Sequence, residues 1–439
     1  MASISDFASD YTSYIAATFV VFLFVFRLYS TERADIAKIP LIDGSSTSQN
    51  PLAYYLGVVR FLVDANEIVL HAYNANPTSG IVRIPRLFGW HYLIWGEQHV
   101  REIASAPEHV LGFNAATAEE LQTKWTVGRQ ITDDAWHANT VRGSLTRNLS
   151  RCFPEVRDEI VLAFDEILGK QLDGTEWKAF RIQEMTMQIV ARTSNRLFVG
   201  VPLCRVPEWI QMNIDYTINA FVRAQIISLL PEFTKPIIAP LISSKNRSLR
   251  HALRFLLPVL KERLESELVQ GKERPDRPND LISWLLDYAP DYERDEKAIA
   301  LRILAVNASA IHTSSTARLA ALTMALFDLA AYPEHIGPMR EEVERVIASE
   351  GWTRAALKQM HKLDSFLRES LRLGVVVMAR RVMRPEGFTF SDGTSIPQGA
   401  IMSVPSYAIQ INPASFADPM KFDGFRFSRA RDSESDHQC

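Results

Sequence analysis

Apolar residues recur at helical spacing from about residue 155 to 373, whereas period-two alternation is confined to short stretches before and after it. Residues 81–84 and 90–95 (IVRI and WHYLIW) are rich in β-branched and aromatic side chains around Pro85 and Gly89, which predicts a short hairpin. A second hairpin is predicted in GFTFSDGTSIPQGAIMSV (387–404), where alternation turns about Asp392-Gly393. Within the helical middle, DYERDEK (291–297) is a solvated charged segment. The chain then turns apolar, with 15 uncharged residues between Arg302 and Arg318, predicting a long helix through the core. Residues 226–242 (IISLLPEFTKPIIAPLI) are strongly apolar but are broken by Pro231, Pro236 and Pro240, so they cannot form one regular helix. They read either as a membrane-dipping loop or as a buried connector. The fold class expected is mainly α with small β-sheets.

The amino terminus adds a membrane element. Residues 11–26 carry no charge and reach about 24 Å as a helix, and Tyr11, Tyr14, Arg27 and Tyr29 extend that reach by interfacial anchoring. No basic residue precedes the run and no small-residue cleavage site follows it, so an uncleaved anchor is expected rather than a secretory signal. Arg27, Arg33 and Lys38 follow the span, whereas Asp6 and Asp10 precede it; residues 1–10 should face the lumen and the remainder the cytosol. The organisation expected is a lumenal tail over 1–10, a transmembrane anchor over 11–29, a linker over 30–50 and one large domain over 51–439.

Across its 439 residues, 48 Lys and Arg against 51 Asp and Glu leave a net charge of −3, which argues against a nucleic-acid partner held by a broadly basic face. The three cysteines, Cys152, Cys204 and Cys439, are odd in number and far apart, so neither a disulfide framework nor a zinc site is expected. G-x-G-x-x-G, G-x-x-x-x-G-K-[ST], H-E-x-x-H and G-x-S-x-G are all absent, removing the usual support for nucleotide-binding, zinc-hydrolase and serine-hydrolase readings.

Three segments rise above this background. FLRESLRLG (366–374) places Glu369 and Arg372 three apart on one helix face, where a surface salt bridge is the ordinary reading. FDGFRF (422–427) sets Arg426 among aromatics in a loop-like stretch; once buried, its planar fork would complete a three-way ion pair with Glu369 and Arg372. ASAIHTSST (308–316) is a small, hydroxylic patch in the long apolar helix, where Ser and Thr bond back to carbonyls a turn earlier and bend the helix.

In this order, together with ARRV, SDGTSIPQGA and FADPMKFDGFRF, these segments resemble a cytochrome P-450 over essentially the whole chain. RTSNRLFVG (192–200) and the AIHT core look most like the fungal, membrane-bound branch that oxidises terpenoids and other secondary metabolites. The resemblance implies a haem b cofactor, an NADPH-cytochrome reductase as electron donor, and a lipophilic small-molecule substrate oxidised with O₂ at the cytosolic face of the endoplasmic reticulum. It implies catalytic roles for Thr313 and for His312, which stands where the family carries an acid and can relay protons near neutral pH. A satisfied core histidine is the competing reading for His312. Glu369, Arg372 and Arg426 correspond to the family's structural ion-pair triad supporting the haem site. His137 or Trp136, with Arg142, resemble the helix whose basic residue pairs with a haem propionate; a surface arginine is the alternative.

The family's haem ligand is a cysteine in an F-x-x-G-x-x-x-C-x-G loop. That loop should begin some tens of residues after Arg426, and no described motif of that kind precedes Cys439. Cys439 has no such glycines around it, and Cys152 and Cys204 lie far upstream in helical contexts, so no metal ligand is assigned. The expectation is a fold incomplete at its carboxyl end. The activity is that of a haem-dependent monooxygenase, or else the chain is a haem-less, membrane-anchored remnant that binds a ligand or partner at most.

Overall fold

A computed structural model describes residues 38–42, 50–172, 177–272, 274–312, 321–374 and 378–436. They fall into two compact units, each discontinuous in sequence. The predicted anchor over 11–29, residues 30–37 and 43–49 of the linker, Thr313 and Cys439 lie outside the described residues. Among the described residues, no helix is long and apolar enough to cross a membrane.

The first unit runs to Thr117 and resumes over 377–416. Helix α1 (Pro51–Ala75) opens with Asn50 as its cap, the side chain accepting from the Leu52 amide at 2.9 Å, and with proline at the first turn. Strands β1 (Ser79–Pro85) and β2 (Trp90–Gly96) pair antiparallel in the register Ile81–Ile94, Arg83–Tyr92, which is the first predicted hairpin. Helix α2 (Glu97–Ser105) follows, then β3 (Leu111–Gly112), β4 (Met378–Val382), β5 (Phe388–Thr389), β6 (Ser395–Ile396) and β7 (Ile401–Val404). One sheet has the order β1-β2-β7-β4-β3, with β2 and β7 parallel; β5 and β6 form the second predicted hairpin, with Gly393 at φ 87° in its turn. Tyr92, Ile94, Leu111, Val382, Phe390 and Met402 make its core.

The second unit comprises Ala118 to 376 and 417 onward. Among its helices, in chain order, are α3 (Trp136–Thr140), α4 (Thr146–Ile167), α5 (Ile182–Phe198), α6 (Pro207–Ser228), α7 (Lys235–Ile242), α8 (Lys245–Gln270), α9 (Leu281–Tyr288), α10 (Glu296–Ile311), α11 (Ala321–Ala331), α12 (Ile336–Glu350), α13 (His361–Arg372) and α14 (Arg426–Asp436). The predicted long helix is α10, started by Asp295, whose side chain accepts from the Lys297 and Ala298 amides. Every residue from Ile299 to Asn307 is buried, and α5, α6, α8 and α9 pack around it. Proline interrupts 226–242 as expected: α6 stops at Ser228, and the chain resumes at Lys235 with Pro236 in the first turn of α7. The buried-connector reading of that stretch is corrected, since Phe233, Ile237 and Leu241 are 70%, 73% and 82% exposed. The FDGFRF stretch is also less loop-like than read, because Arg426 opens α14.

Candidate functional site

Helix α13 and the start of α14 bring Glu369, Arg372 and Arg426 together. Arg372 donates from Nε and Nη2 to the two Glu369 oxygens at 2.8 and 2.9 Å, both side chains being fully buried. Arg426 Nε donates to the same carboxylate at 3.2 Å, and the Asp423 amide adds a bond at 3.0 Å. The remaining Arg426 nitrogens donate to the carbonyls of Ala417 and Lys421. A buried charge pair survives only when its spare donors and acceptors are satisfied, and these are. Tyr332, Phe366, Phe422 and Phe425 surround His335 beside it, with Tyr332 stacked on Phe422 at 4.5 Å.

Two caps from outside their own helices hold this arrangement. The buried Glu342 carboxylate of α12 accepts from the Lys362 amide at 2.9 Å and the Leu363 amide at 3.1 Å, satisfying donors at the start of α13. Ser365 Oγ does the same for α14, accepting from the Phe427 and Ser428 amides. Neither cap follows from local spacing, because each partner lies 20 or more residues away.

Along α10 the polar positions are anchored. Asn307 Oδ1 accepts from Asn195 Nδ2 at 2.8 Å, and Asn195 Oδ1 accepts from Trp209 Nε1 at 2.8 Å, so α5 and α6 are both tied to the long helix. Asn195 belongs to the RTSNRLFVG segment singled out in the sequence. Ser309 Oγ donates back to the Ala305 carbonyl at 2.9 Å, as the hydroxylic patch predicted. His312 caps the helix, tilted against Phe221 at 4.9 Å, and burial pulls its pKa down while nearby Glu120 opposes.

His137 lies on α3 and Arg142 in the turn that follows it. Arg142 lies in a π-helical turn (Val141–Leu145) and is exposed, not partly desolvated. His137 is half-buried beside a cation. Its Nδ1 faces Arg302 Nη1 at 2.8 Å, and burial, then the Arg302 charge, lower its pKa to about 4, so Nδ1 accepts from the guanidinium and Nε2 keeps the ring's one donor. The residue missed is Arg302 itself, fully buried on α10. It donates to Glu293 Oε2 at 2.7 Å and to the Asp134 carbonyl at 2.8 Å, and lies 4.4 Å from the Trp136 ring, whose Nε1 also donates to Glu293. A lone charge at the edge of an apolar helical run was the available signal.

The chain's similarity to known proteins follows this architecture. A cytochrome P450 family model matches residues 94–438. The chain belongs to the cytochrome P450 family. It is 34% identical over 411 residues to cytochrome P450 monooxygenase 151 of Postia placenta, covering 93% of this chain and 80% of that one. It is 30% identical over 419 residues to cytochrome P450 monooxygenase CYP512U6 of Ganoderma lucidum, covering 95% and 80%. With an ent-kaurene oxidase of Gibberella fujikuroi the identity is 28% over 405 residues, covering 90% and 78%. The solved structure of retinoic-acid-bound cyanobacterial CYP120A1 superposes with a TM-score of 0.60 at 17% identity, covering 84% of this chain and 79% of that one, a likeness of fold. The protein is thus an oxidoreductase of the P450 monooxygenase family.

This family is built around a haem whose iron takes a cysteine thiolate. The two described cysteines do not fit that part. Cys152 Sγ lies 3.6 Å from the Asn279 carbonyl and accepts from Asn279 Nδ2, and Cys204 is fully buried in a short 3₁₀ turn. Burial raises both thiols, Cys204 to about 11, which holds them protonated and poor as ligands. Among the described residues there is no axial thiolate.

Proposed function

We propose that this P450 oxidises a lipophilic small molecule, with terpenoids the first class to test, using O₂ and electrons passed from NADPH by a membrane-bound cytochrome reductase. The observation that carries this is the family match over residues 94–438, joined by relatives that are named monooxygenases and one named ent-kaurene oxidase. We place it at the cytosolic face of the endoplasmic reticulum, anchored by residues 11–29. In support, α1, the first described helix beyond that segment, exposes Leu52, Leu56, Val59, Leu62 and Val63 at 57–76%, an apolar face suited to a membrane surface.

A second reading is a haem-less binding protein, favoured by the burial of Cys152 and Cys204 away from any ligand role. One experiment separates them: expression of the 439-residue chain in haem-replete cells, followed by the CO-difference spectrum of the reduced, purified protein and assay of terpenoid oxidation with NADPH and reductase. A thiolate-type Soret band with product formation supports the oxidase. Purified protein without haem and without product overturns it in favour of the remnant.

A further inference from the structure

Helices α5, α6 and α10 meet at a chain of three side chains that solvent does not reach. Trp209, Asn195 and Asn307 are each 0% exposed. The indole Nε1 can only donate, so Asn195 must present Oδ1 to Trp209, and it does so at 2.8 Å. Its Nδ2 then donates twice, to the Ala191 carbonyl of its own helix and to Asn307 Oδ1, both at 2.8 Å. Asn307 Nδ2 closes the chain on the Ile303 carbonyl at 3.2 Å. Neither amide can be turned over, because a flipped Asn195 would set its NH₂ against the indole N–H and its oxygen against a carbonyl. The orientation of Asn307 on α10 is therefore dictated from Trp209 on α6, whose ring lies 5.8 Å from that of Phe255.

The same two helices meet again further along. Phe221 of α6 lies against His312 at the end of α10, and Glu120 is the charge acting on that ring. Asn307 ties α10 to its neighbours about 7.5 Å before His312, and Arg302 does so about 15 Å before it. A side chain that passes protons must be held to about 0.5 Å by neighbours whose own rotamers are locked. We propose that Asn195 is the positioning residue for His312: oriented by Trp209, it fixes the rotation of α10 at Asn307 and so keeps the imidazole against Phe221. Apolar side chains of like volume would hold the three helices together equally well, but would leave that rotation unspecified. The use of the positioning in proton delivery rests on the oxidase reading above; the positioning itself does not.

The test is the NMR titration of His312 in the full chain labelled at histidine Cε1, its resonance assigned with His312→Gln. Neither substrate nor cofactor is needed, so failure here is distinct from failure of the oxidase reading. Trp209→Phe keeps an aromatic ring but removes the donor, leaving the Asn195 amide free to turn. Trp284→Phe is the matched control: Trp284 is also buried and donates from Nε1 to an asparagine, Asn279, at 2.9 Å, but that pair lies outside the chain of three. The His312 midpoint should rise in Trp209→Phe and in Asn195→Leu, because burial is what lowers it and a loosened α10 admits water. It should keep its wild-type value in Trp284→Phe, although thermal midpoints fall in both Trp variants. Trp209→Phe added to Asn195→Leu should move it no further than Asn195→Leu alone, as successive links of one chain require. If Asn195→Leu does not fold, the two Trp variants decide alone. A His312 midpoint unchanged in Trp209→Phe, with the melt lowered, overturns the proposal and leaves the chain of three a stability element. A rise of equal size in Trp284→Phe overturns it too, since general loosening would then account for the shift.

Discussion

Replacing Arg302 with methionine tests whether the buried cluster at the base of α10 acts as one unit. Methionine retains much of the side chain's volume but leaves Glu293, whose carboxylate is 13% exposed, with Trp136 Nε1 as a donor in place of the guanidinium. The Asp134 carbonyl, the Gln130 carbonyl and His137 Nδ1 lose the same partner. Breaking one side of a buried ion pair costs about 3–5 kcal/mol, much of it for the stranded charge. Taking about 4 kcal/mol and roughly 2.1 cal/mol/K of unfolding entropy per residue, the thermal midpoint should fall by about 4–7 °C, with the larger figure applying if the second unit melts alone. Circular dichroism follows the melt. Glu293→Gln alone should also destabilise, whereas adding it to Arg302→Met should cost little, because the charge it removes is already unpaired. The His137 pKa should rise in Arg302→Met, visible in the histidine NMR titration, since one of the two causes that lower it is gone. A loss below about 1 kcal/mol, or strictly additive effects with Glu293→Gln, would refute the cluster as a coupled unit.

Acid should weaken the fold through two buried histidines, His91 lowered to about 3 by burial and the Arg86 charge, and His137 lowered to about 4. Both folded values lie below the unfolded one, so the unfolded chain takes the proton first; their stabilisation is whole above about pH 6.5 and is lost as pH falls toward those values. By pH 5 each should cost about 2 kcal/mol relative to pH 8, measured as denaturant stability against pH, and His137→Gln should flatten its share. Glu342→Ala removes the carboxylate that satisfies the first amides of α13, and should lower stability by about 1–2 kcal/mol, with Glu342→Gln losing less; urea midpoints that do not move would exclude the cap. Gly424→Ala would set a Cβ 2.5 Å from His335 Cδ2 and 2.7 Å from Phe366 Cδ2, both rings held by their neighbours, so about 1–3 kcal/mol of overpacking is expected from thermal melts.

The elements that local chemistry specifies were legible in the sequence. The Asp392-Gly393 turn needs a positive φ that glycine adopts freely, so its hairpin could be read from two residues. The spacing of Glu369 and Arg372 put them on one helix face, and the aromatic setting of Arg426 suggested its burial. Long-range pairing was not legible: β2 runs parallel to β7, with His91 opposite Ile401, and nothing within either segment carries that register. The surroundings of His137 were not legible for the same reason. A histidine's charge is set by what surrounds it, and its determinant, Arg302, stands 165 residues away.

Arg302 and Asn307 show why polar residues inside an apolar helix repay attention. Apolar packing holds α10 in the core but discriminates weakly between small rotations or slides, because many apolar contacts are nearly interchangeable. Hydrogen bonds are directional, and an unmade one in the interior is costly. Five residues apart, Arg302 and Asn307 project about 140° from each other around the helix at 100° per residue. The first is bound to the segment before α3 and to Glu293, the second to α5. Two directional anchors on different sides leave the helix one rotation and one height. That setting is passed along the same rigid element to Ser309 and His312, so the geometry at the end of α10 is fixed by residues about one and about three turns before it.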